Sequence, residues 1–527
     1  MKISRLITRL TRSTRLRAVP FALGALVSLG AQAAPAQVTM TLQPTQPGAV
    51  VNPDIFGQFS EFIGSGIYGG IWVGAKSDIP NTDGFRTDVV QALRALDVPN
   101  VRWPGGCYAD RYDWRDGVGP RAKRPVTENS NWGGTNNDNA FGSMEFLTFA
   151  QLIGAKPFMA VNVGSEPPSN MVHWLEYLTS TSKSAWAQQR RADGREQPWK
   201  IPYLGIGNEL WGCGGNMTPD YAADVYRRYR AFVQVGGDQH MQMIAPGANG
   251  SDYHWTDVMM KKAVKYMDGI SLHYYTIPRN GDDMMSATDF DQATWIDTLS
   301  KALFMDTLIE KHSAIMDKYD PTKRVALDVD EWGTWFKATP GSNPAFLQQQ
   351  NTLRDAMVAA LTLNIFVDHA DRVRMANIAQ MVNVLQAMIL TDNNKMVLTP
   401  TYYVFKMFKP YQGAKVLPLE VKSPDYSVGK VSVPAVQATA VLGKDGYTYI
   451  ALANLDPTHG ADISVRLPQG AFHEISGTIL TAPDMSSKNT FDAPDQVKPK
   501  TFTGAHMTGQ TMAIHMPSKA FVMLRLD

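Results

Sequence analysis

Cysteine is nearly missing from this chain of 527 residues: there are two, Cys107 and Cys213, too few to build a disulfide scaffold. A charge excess of either sign is missing too. With 50 Lys+Arg against 49 Asp+Glu, and only 19% of residues charged, the bulk electrostatics argue against nucleic acid as a partner. No apolar run reaches the roughly 18 residues of a membrane span. The 10 His form no H-E-x-x-H and no close cluster with Cys or acids, so no metal site is expected. No G-x-S-x-G elbow occurs. Gly64-Ser-Gly66-Ile-Tyr-Gly69 matches G-x-G-x-x-G, but Gly70-Ile-Trp-Val-Gly74 follows it in place of a helix, which argues against a dinucleotide site and leaves no cofactor expected.

What is present begins with the first 33 residues. They hold no acid, carry Lys2, Arg5, Arg9, Arg12, Arg15 and Arg17, run apolar from Ala18 to Gly30, and reach Ala31-Gln32-Ala33. This is the pattern of a secretory signal, from which an exported, periplasmic or secreted protein is expected, with no membrane attachment after cleavage.

From residue 53 to about 410, short apolar runs alternate with amphipathic stretches, the pattern of βαβ units around a parallel sheet. Eight candidate strands fall at residues 55–61, 98–103, 156–163, 201–208, 242–246, 269–274, 324–330 and 372–380. One intervening helix shows Val89, Val90, Leu93 and Leu96 as a stripe. Another shows Tyr221, Val225, Tyr229 and Phe232, opened by Thr218 and Pro219. Eight alternations predict an α/β (β/α)8 barrel over residues 53–410. After it, residues 411–527 break into short alternating runs that predict an antiparallel, jelly-roll-like β-sandwich. Residues 34–52 are expected to join that sandwich, with residues 38–42 as an edge strand.

In such barrels catalytic groups sit at the C-terminal ends of the strands. Glu209 follows the fourth candidate strand and Glu331 the seventh, so the two carboxylates can converge across one mouth at the spacing of a retaining glycosidase. Taken singly, either could be a carboxylate satisfied by an Arg. Two at matching strand ends favour a catalytic pair.

Phe56-Gly-Gln-Phe-Ser-Glu61, Val101-Arg102-Trp-Pro-Gly-Gly106, Gly207-Asn208-Glu209-Leu-Trp211, Ser271-Leu-His273-Tyr-Tyr275 and Asp330-Glu331-Trp332 together resemble the α-L-arabinofuranosidases of glycoside hydrolase family 51, a clan A family. The resemblance implies that Glu209 is the general acid/base and Glu331 the nucleophile. Burial beside a second carboxylate would raise the pKa of Glu209, and donors such as Arg102 and Tyr275 would keep Glu331 ionised. It further implies that Glu61, Arg102, Cys107, Trp132, Asn208, Tyr275 and Gln380 line the sugar pocket. Bland alternatives stand beside several of these. Glu61 could form a buried salt bridge with Arg102, Trp132 could be packing, Gln380 a solvated strand end, and Tyr274 competes with Tyr275 for the place beside the nucleophile. Against the family pattern, Cys107 and Gly333 stand where many relatives carry Asn, and Gly333 is expected to loosen the loop after the nucleophile.

The expected activity is exo-acting release of terminal α-L-arabinofuranosyl groups from arabinoxylan, arabinan or their oligosaccharides, a step in hemicellulose degradation. An endo-β-glucanase or xylanase on the same barrel and a non-catalytic polysaccharide-binding protein are the rivals. Relatives of this family form hexamers, so a homo-oligomer is compatible with the resemblance. Cys107 and Cys213 both belong to loops at the same barrel end, and a disulfide between them is expected, with two separate thiols as the alternative. It would close a loop of about 106 residues, for which chain entropy gives roughly 4–5 kcal/mol before strain.

Overall fold

The computed structural model describes residues 34–234, 240–468 and 472–527. Eight parallel strands close into a barrel in sequence order: β1 (Gly57–Phe59), β2 (Asn100–Trp103), β3 (Lys156–Val161), β4 (Tyr203–Ile206), β5 (Gln242–Asn249), β6 (Gly269–Thr276), β7 (Ala326–Thr334) and β8 (Val373–Ile378). Each overlaps one of the eight apolar stretches read from the sequence. Between and after them run helices α1 (Thr87–Ala95), α2 (Ser143–Ile153), α3 (Pro168–Thr179), α4 (Ala185–Ala192), α5 (Pro219–Ala231), α6 (Tyr253–Ala263), α7 (Gln292–Tyr319), α8 (Leu353–Asp368) and α9 (Pro400–Met407). None of the described helices is long and apolar enough to cross a membrane.

Helix α5 starts as its sequence predicts, with the Thr218 side chain capping the backbone N–H of Tyr221 and Pro219 at the first position. Its buried face is different from the expected one. Ala222, Ala223, Tyr226 and Tyr229 face the core, whereas Tyr221 and Phe232 are exposed. Two alanines let the helix approach the barrel closely, and a stripe chosen by large apolar residues passes over them.

Strand β7 also runs further than expected, through Thr334, because β6 pairs with it as far as Thr276↔Thr334. Glu331 therefore lies inside a strand. Gly333 does too, so the expected loose loop is a buried strand end, with Gly333 at φ 139°.

Two sheets form the sandwich. One holds six strands in the order Lys415–Leu417, Val436–Leu442, Thr448–Asn454, Ala520–Leu526, Ile475–Leu480 and Lys500–Phe502. The other holds Leu419–Lys422, Ala36–Leu42, Ala461–Arg466, Thr511–Met516 and Ala505–Thr508. The strand Ala36–Leu42 is thus interior, not an edge. It pairs antiparallel with Leu419–Lys422 and parallel with Ala461–Arg466, so the sheet is mixed. Its alternate residues Val38, Met40 and Leu42 enter the core between the sheets, as the period of two requires.

Sandwich and barrel belong to one compact unit. Helix α8 is buried from Leu353 to Val367, its polar Arg354, Asp355, Thr362 and Asn364 included. Its Asn364 donates to Gln437 at 3.0 Å and its Asp368 accepts from Thr439 at 2.6 Å. Phe408 stacks on Phe521 with ring centroids 5.3 Å apart.

Candidate active site

The site is built at the C-terminal ends of β1, β2, β4, β6, β7 and β8. After β2 the chain turns through Trp103-Pro-Gly-Gly106, with Trp103 fully buried and stacked on Phe146. The two glycines are there for space. A Cβ on Gly105 would lie 2.6 Å from Glu61 Cγ, and one on Gly106 would lie 2.6 Å from Glu331 Oε1. This turn is the backing plate for two carboxylates.

Arg102, at the centre, is buried and its guanidinium is taken up by protein groups. Nη1 donates to Glu331 Oε1 at 2.7 Å, Nη2 donates to Asn208 Oδ1 at 2.6 Å, and Nε lies 3.4 Å from Asp330 Oδ2. Its partner is not Glu61. That carboxylate instead accepts from the backbone N–H of Tyr108 and from Trp132 Nε1, each at 2.9 Å on Oε1, and Gln380 Nε2 lies 3.4 Å from Oε2. Gln380 Oε1 in turn accepts from the Glu61 backbone N–H at 3.1 Å. Trp132 and Gln380 are therefore tied to Glu61 as one wall. Burial and the charge of Glu331 push the Glu61 pKa up to about 7.

The second oxygen of Glu331 accepts from the Tyr275 hydroxyl at 2.9 Å. Tyr274 points away and donates to the Lys301 carbonyl at 2.8 Å. Alternation along β6 puts the two tyrosines on opposite faces, Tyr275 on the same face as His273, while the extra residue of the bulge opposite Leu272 lies in β7, at Val329-Asp330 just before Glu331.

Glu209 sits in a tight turn after β4, at φ 42° in the left-handed region. Its carbonyl accepts from the backbone N–H of Gly212 at 2.7 Å and of Gly214 at 3.1 Å, which folds Cys213 back over it. Cys107 and Cys213 are joined by a disulfide, with Cα atoms 5.5 Å apart. The sulfurs lie 3.9 Å and 3.5 Å from Glu209 Oε2. The thiol of Cys107 is thus not free to bind a sugar as an amide would.

Three residues of the site are not assigned by sequence reasoning. His273 places Nδ1 2.9 Å from Glu209 Oε1 and Nε2 3.2 Å from Asp330 Oδ1. Burial opposes its charge, but the charges of Glu331 and Asp330 and the contacts to Asp330 and Glu209 outweigh burial and lift its pKa to about 10. Burial also opposes the charge of Asp330, yet Arg102 and His273 hold it below the ordinary carboxylate range. Asp110 accepts from the backbone N–H of Val163 at 2.7 Å, of Gly164 at 2.8 Å and of Asn208 at 3.0 Å, pinning the ends of β3 and β4 to the loop after β2. The signal for His273 was its place in Ser271-Leu-His273-Tyr-Tyr275. Asp110 has none, because its partners are backbone groups distant in sequence.

Single atoms of Glu209, His273 and Glu331 lie within 4.8 Å of one another. In this cluster each carboxylate already has protein partners, Glu209 from His273 and Glu331 from Arg102 and Tyr275. Cys107 and Cys213, tied together, offer no thiolate. The cluster suits proton transfer instead. Burial raises the pKa of Glu209; the His273 hydrogen bond works against this and the charge of Glu331 adds to it. Glu331, by contrast, has an arginine on one oxygen and a tyrosine hydroxyl on the other.

Known proteins share this arrangement of chain. A model described as the alpha-L-arabinofuranosidase 1 domain matches residues 92–294, and one described as the alpha-L-arabinofuranosidase C-terminal domain matches residues 330–519. An intracellular exo-alpha-L-arabinofuranosidase of Bacteroides ovatus is 47% identical over 506 residues, 96% of this chain and 98% of that one. The crystal structure of the family 51 arabinofuranosidase of Xanthomonas axonopodis pv. citri superposes with a TM-score of 0.92 at 56% identity, covering 93% of this chain and all of that one. The chain belongs to the α-L-arabinofuranosidases of glycoside hydrolase family 51. The crystal structure of the Thermotoga maritima α-L-arabinofuranosidase in its arabinose complex is also similar, 27% identical with a TM-score of 0.82 over 93% of this chain and 99% of that one.

The comparison also corrects the expected localisation. The B. ovatus arabinofuranosidase is intracellular, and residues 1–33, read as an export leader, lie outside the described residues. A basic stretch before 13 apolar residues is a pattern of composition alone. It does not outweigh likeness to an intracellular enzyme along nearly the whole chain, so periplasmic or secreted placement is withdrawn.

Proposed function

We propose that this arabinofuranosidase is an exo-acting, retaining enzyme that releases terminal α-L-arabinofuranosyl residues from arabinoxylan, arabinan or their oligosaccharides by double displacement. The observation that carries the reading is the pair Glu209 and Glu331, with oxygens within 4.8 Å and opposite surroundings. Direct attack by a carboxylate needs a separation of roughly 5–5.5 Å, whereas a water between the two would need about 6.5–9.5 Å.

Glu331, held on both oxygens, attacks the anomeric carbon as the bond to the leaving oxygen breaks. Glu209 gives that oxygen its proton. Because Oε1 accepts from His273, the proton resides on Oε2. In the second step the Glu209 carboxylate takes a proton from water, the water oxygen bonds to the anomeric carbon, and the ester to Glu331 breaks. Two inversions return the α configuration. Asn208 has its carbonyl oxygen occupied by Arg102 and its Nδ2 3.9 Å from Cys213 Sγ, which leaves one N–H of the amide to donate to a sugar hydroxyl. Glu61, Gln380 and Trp132 form the opposite wall, where acceptor oxygens and an indole face suit the hydroxyls and the ring of a furanose.

Proton NMR of products formed in methanol tests the mechanism. Methyl α-L-arabinofuranoside is expected, and the β anomer would reject it. Free arabinose from arabinoxylan supports exo action, whereas released oligosaccharides would favour the endo-acting glucanase or xylanase reading.

A further inference from the structure

We infer that the Cys107–Cys213 disulfide is a positioning device for the proton on Glu209, and that reducing it weakens the enzyme as a proton donor. The inference rests on the acid/base reading of Glu209 given above.

The bridge is not local. Cys107 follows β2 and Cys213 follows β4, with β3 between them in the barrel, so it spans the end of one strand to close over the Glu209 turn. The backbone bonds from Gly212 and Gly214 to the Glu209 carbonyl bring Cys213 onto the same residue whose side chain it covers. Both sulfurs then face Oε2, at 3.5 Å and 3.9 Å. The remaining titratable and charged groups around the carboxyl are His273 on Oε1, Glu331, Arg102 and the Tyr275 hydroxyl.

A disulfide sulfur carries no hydrogen, so it can only accept, weakly. Opposite Oε2 it suits an O–H and offers nothing to a carboxylate. Two thiols reverse that relation. Each S–H can donate to Oε2, and donation to the charged form favours loss of the proton. Reduction also releases the turn from the loop after β2, whose Gly106 backs Glu331.

Cys213 is exposed and Cys107 half-buried, so the bridge is open to attack from the Cys213 side. The reductant is a small dithiol. Its thiolate bonds to Cys213 Sγ as the S–S bond breaks, and Cys107 leaves as a thiolate and takes up a proton. The second thiol of the reagent then displaces Cys213, which also takes a proton, and the reagent departs as a cyclic disulfide. Two electrons and two protons pass to the protein.

The test compares oxidised and dithiol-treated full-length protein on two substrates, an arabino-oligosaccharide and an aryl α-L-arabinofuranoside with an acidic phenol. The range is about pH 5 to 8, below the ordinary thiol pKa of about 8.5. Reduction is expected to lower kcat/KM on the oligosaccharide about three- to tenfold and on the aryl glycoside less than about twofold, because an acidic phenol leaves without a proton. The alkaline limb of the oligosaccharide profile should move to lower pH, reoxidation should restore it, and C107A/C213A should not respond to the dithiol. Equal losses on both substrates would mark a merely structural bridge and overturn the inference, as would an unmoved limb or a dithiol response that persists in C107A/C213A. Should that variant not fold, recovery on reoxidation of the native protein decides. An oxidised enzyme that handles both substrates alike after Glu209→Ala would instead overturn the acid/base reading, and this inference with it.

Discussion

His273 donates from Nδ1 to Glu209 Oε1 over 2.9 Å, and with a pKa near 10 it does so as a cation. Its positive charge favours the ionised form of Glu209, so the proton affinity of that carboxyl is set partly by a residue on β6. Replacing His273 with Asn removes the charge. The alkaline limb of the kcat/KM profile is then expected to move to higher pH, while misorientation of the carboxyl lowers kcat by about 10–100-fold. A full pH–rate profile checks both, and a limb displaced to lower pH would contradict the electrostatic sign.

Glu331→Gln keeps the shape of the side chain and removes the nucleophile. Turnover should fall by about 10⁴-fold or more with the thermal midpoint little changed. Turnover close to that of the parent would remove Glu331 from the mechanism.

Glu209→Ala should reduce hydrolysis of natural arabinosides by about 10²–10⁴-fold and spare aryl arabinosides with acidic phenols in the first step. Release of the sugar still lacks its base, so added azide should restore turnover and yield the α-arabinofuranosyl azide. A β azide, or equal losses on both substrate types, would exclude Glu209 as the acid/base.

Gly106→Ala tests the backing turn. The new methyl would sit 2.6 Å from Glu331 Oε1 and must displace the carboxylate. Because a side chain can yield, the stability cost should stay near 1–3 kcal/mol, while a displacement of about 1 Å at the nucleophile can lower kcat about 10²-fold. Activity measured beside the urea midpoint separates the two effects, and unchanged kcat would show that the turn does not aim Glu331.

Glu61 is held above its ordinary 4.5, at about 7, chiefly by burial. Its protonated form is favoured in the folded state, so its contribution to stability is full below pH 4.5 and is lost as pH rises through about 7. The shift corresponds to a contribution on the order of 3 kcal/mol. Urea titrations at pH 5 and 8 should therefore show a smaller decline in Glu61→Gln than in the parent, and equal declines would refute the assignment.

Much of this enzyme was legible in one dimension. The alternation of apolar runs and helices is dictated by backbone periodicity, so the eight barrel strands could be placed before any contact was known. Glu209 and Glu331 could be picked out because each is a polar residue interrupting or following an apolar strand. What pattern could not supply was orientation and company. The stripe on α5 was misjudged because small alanines pack closer than tyrosines, and Ala36–Leu42 was read as an edge because its parallel partner, Ala461–Arg466, lies more than 400 residues away.

The order of strands and helices, and the residues that end them, follow from local periodicity, turns and caps, and so can be read from the chain alone. Only the tertiary structure decided that Tyr275 rather than Tyr274 reaches Glu331, and that Arg102 grips Asn208 and Glu331 instead of Glu61. It alone set His273 between two carboxylates and two sulfurs against Oε2 of Glu209. Such relations depend on barrel closure and on the register shifts along β5, β6 and β7, which are properties of the closed sheet and of no local stretch of chain.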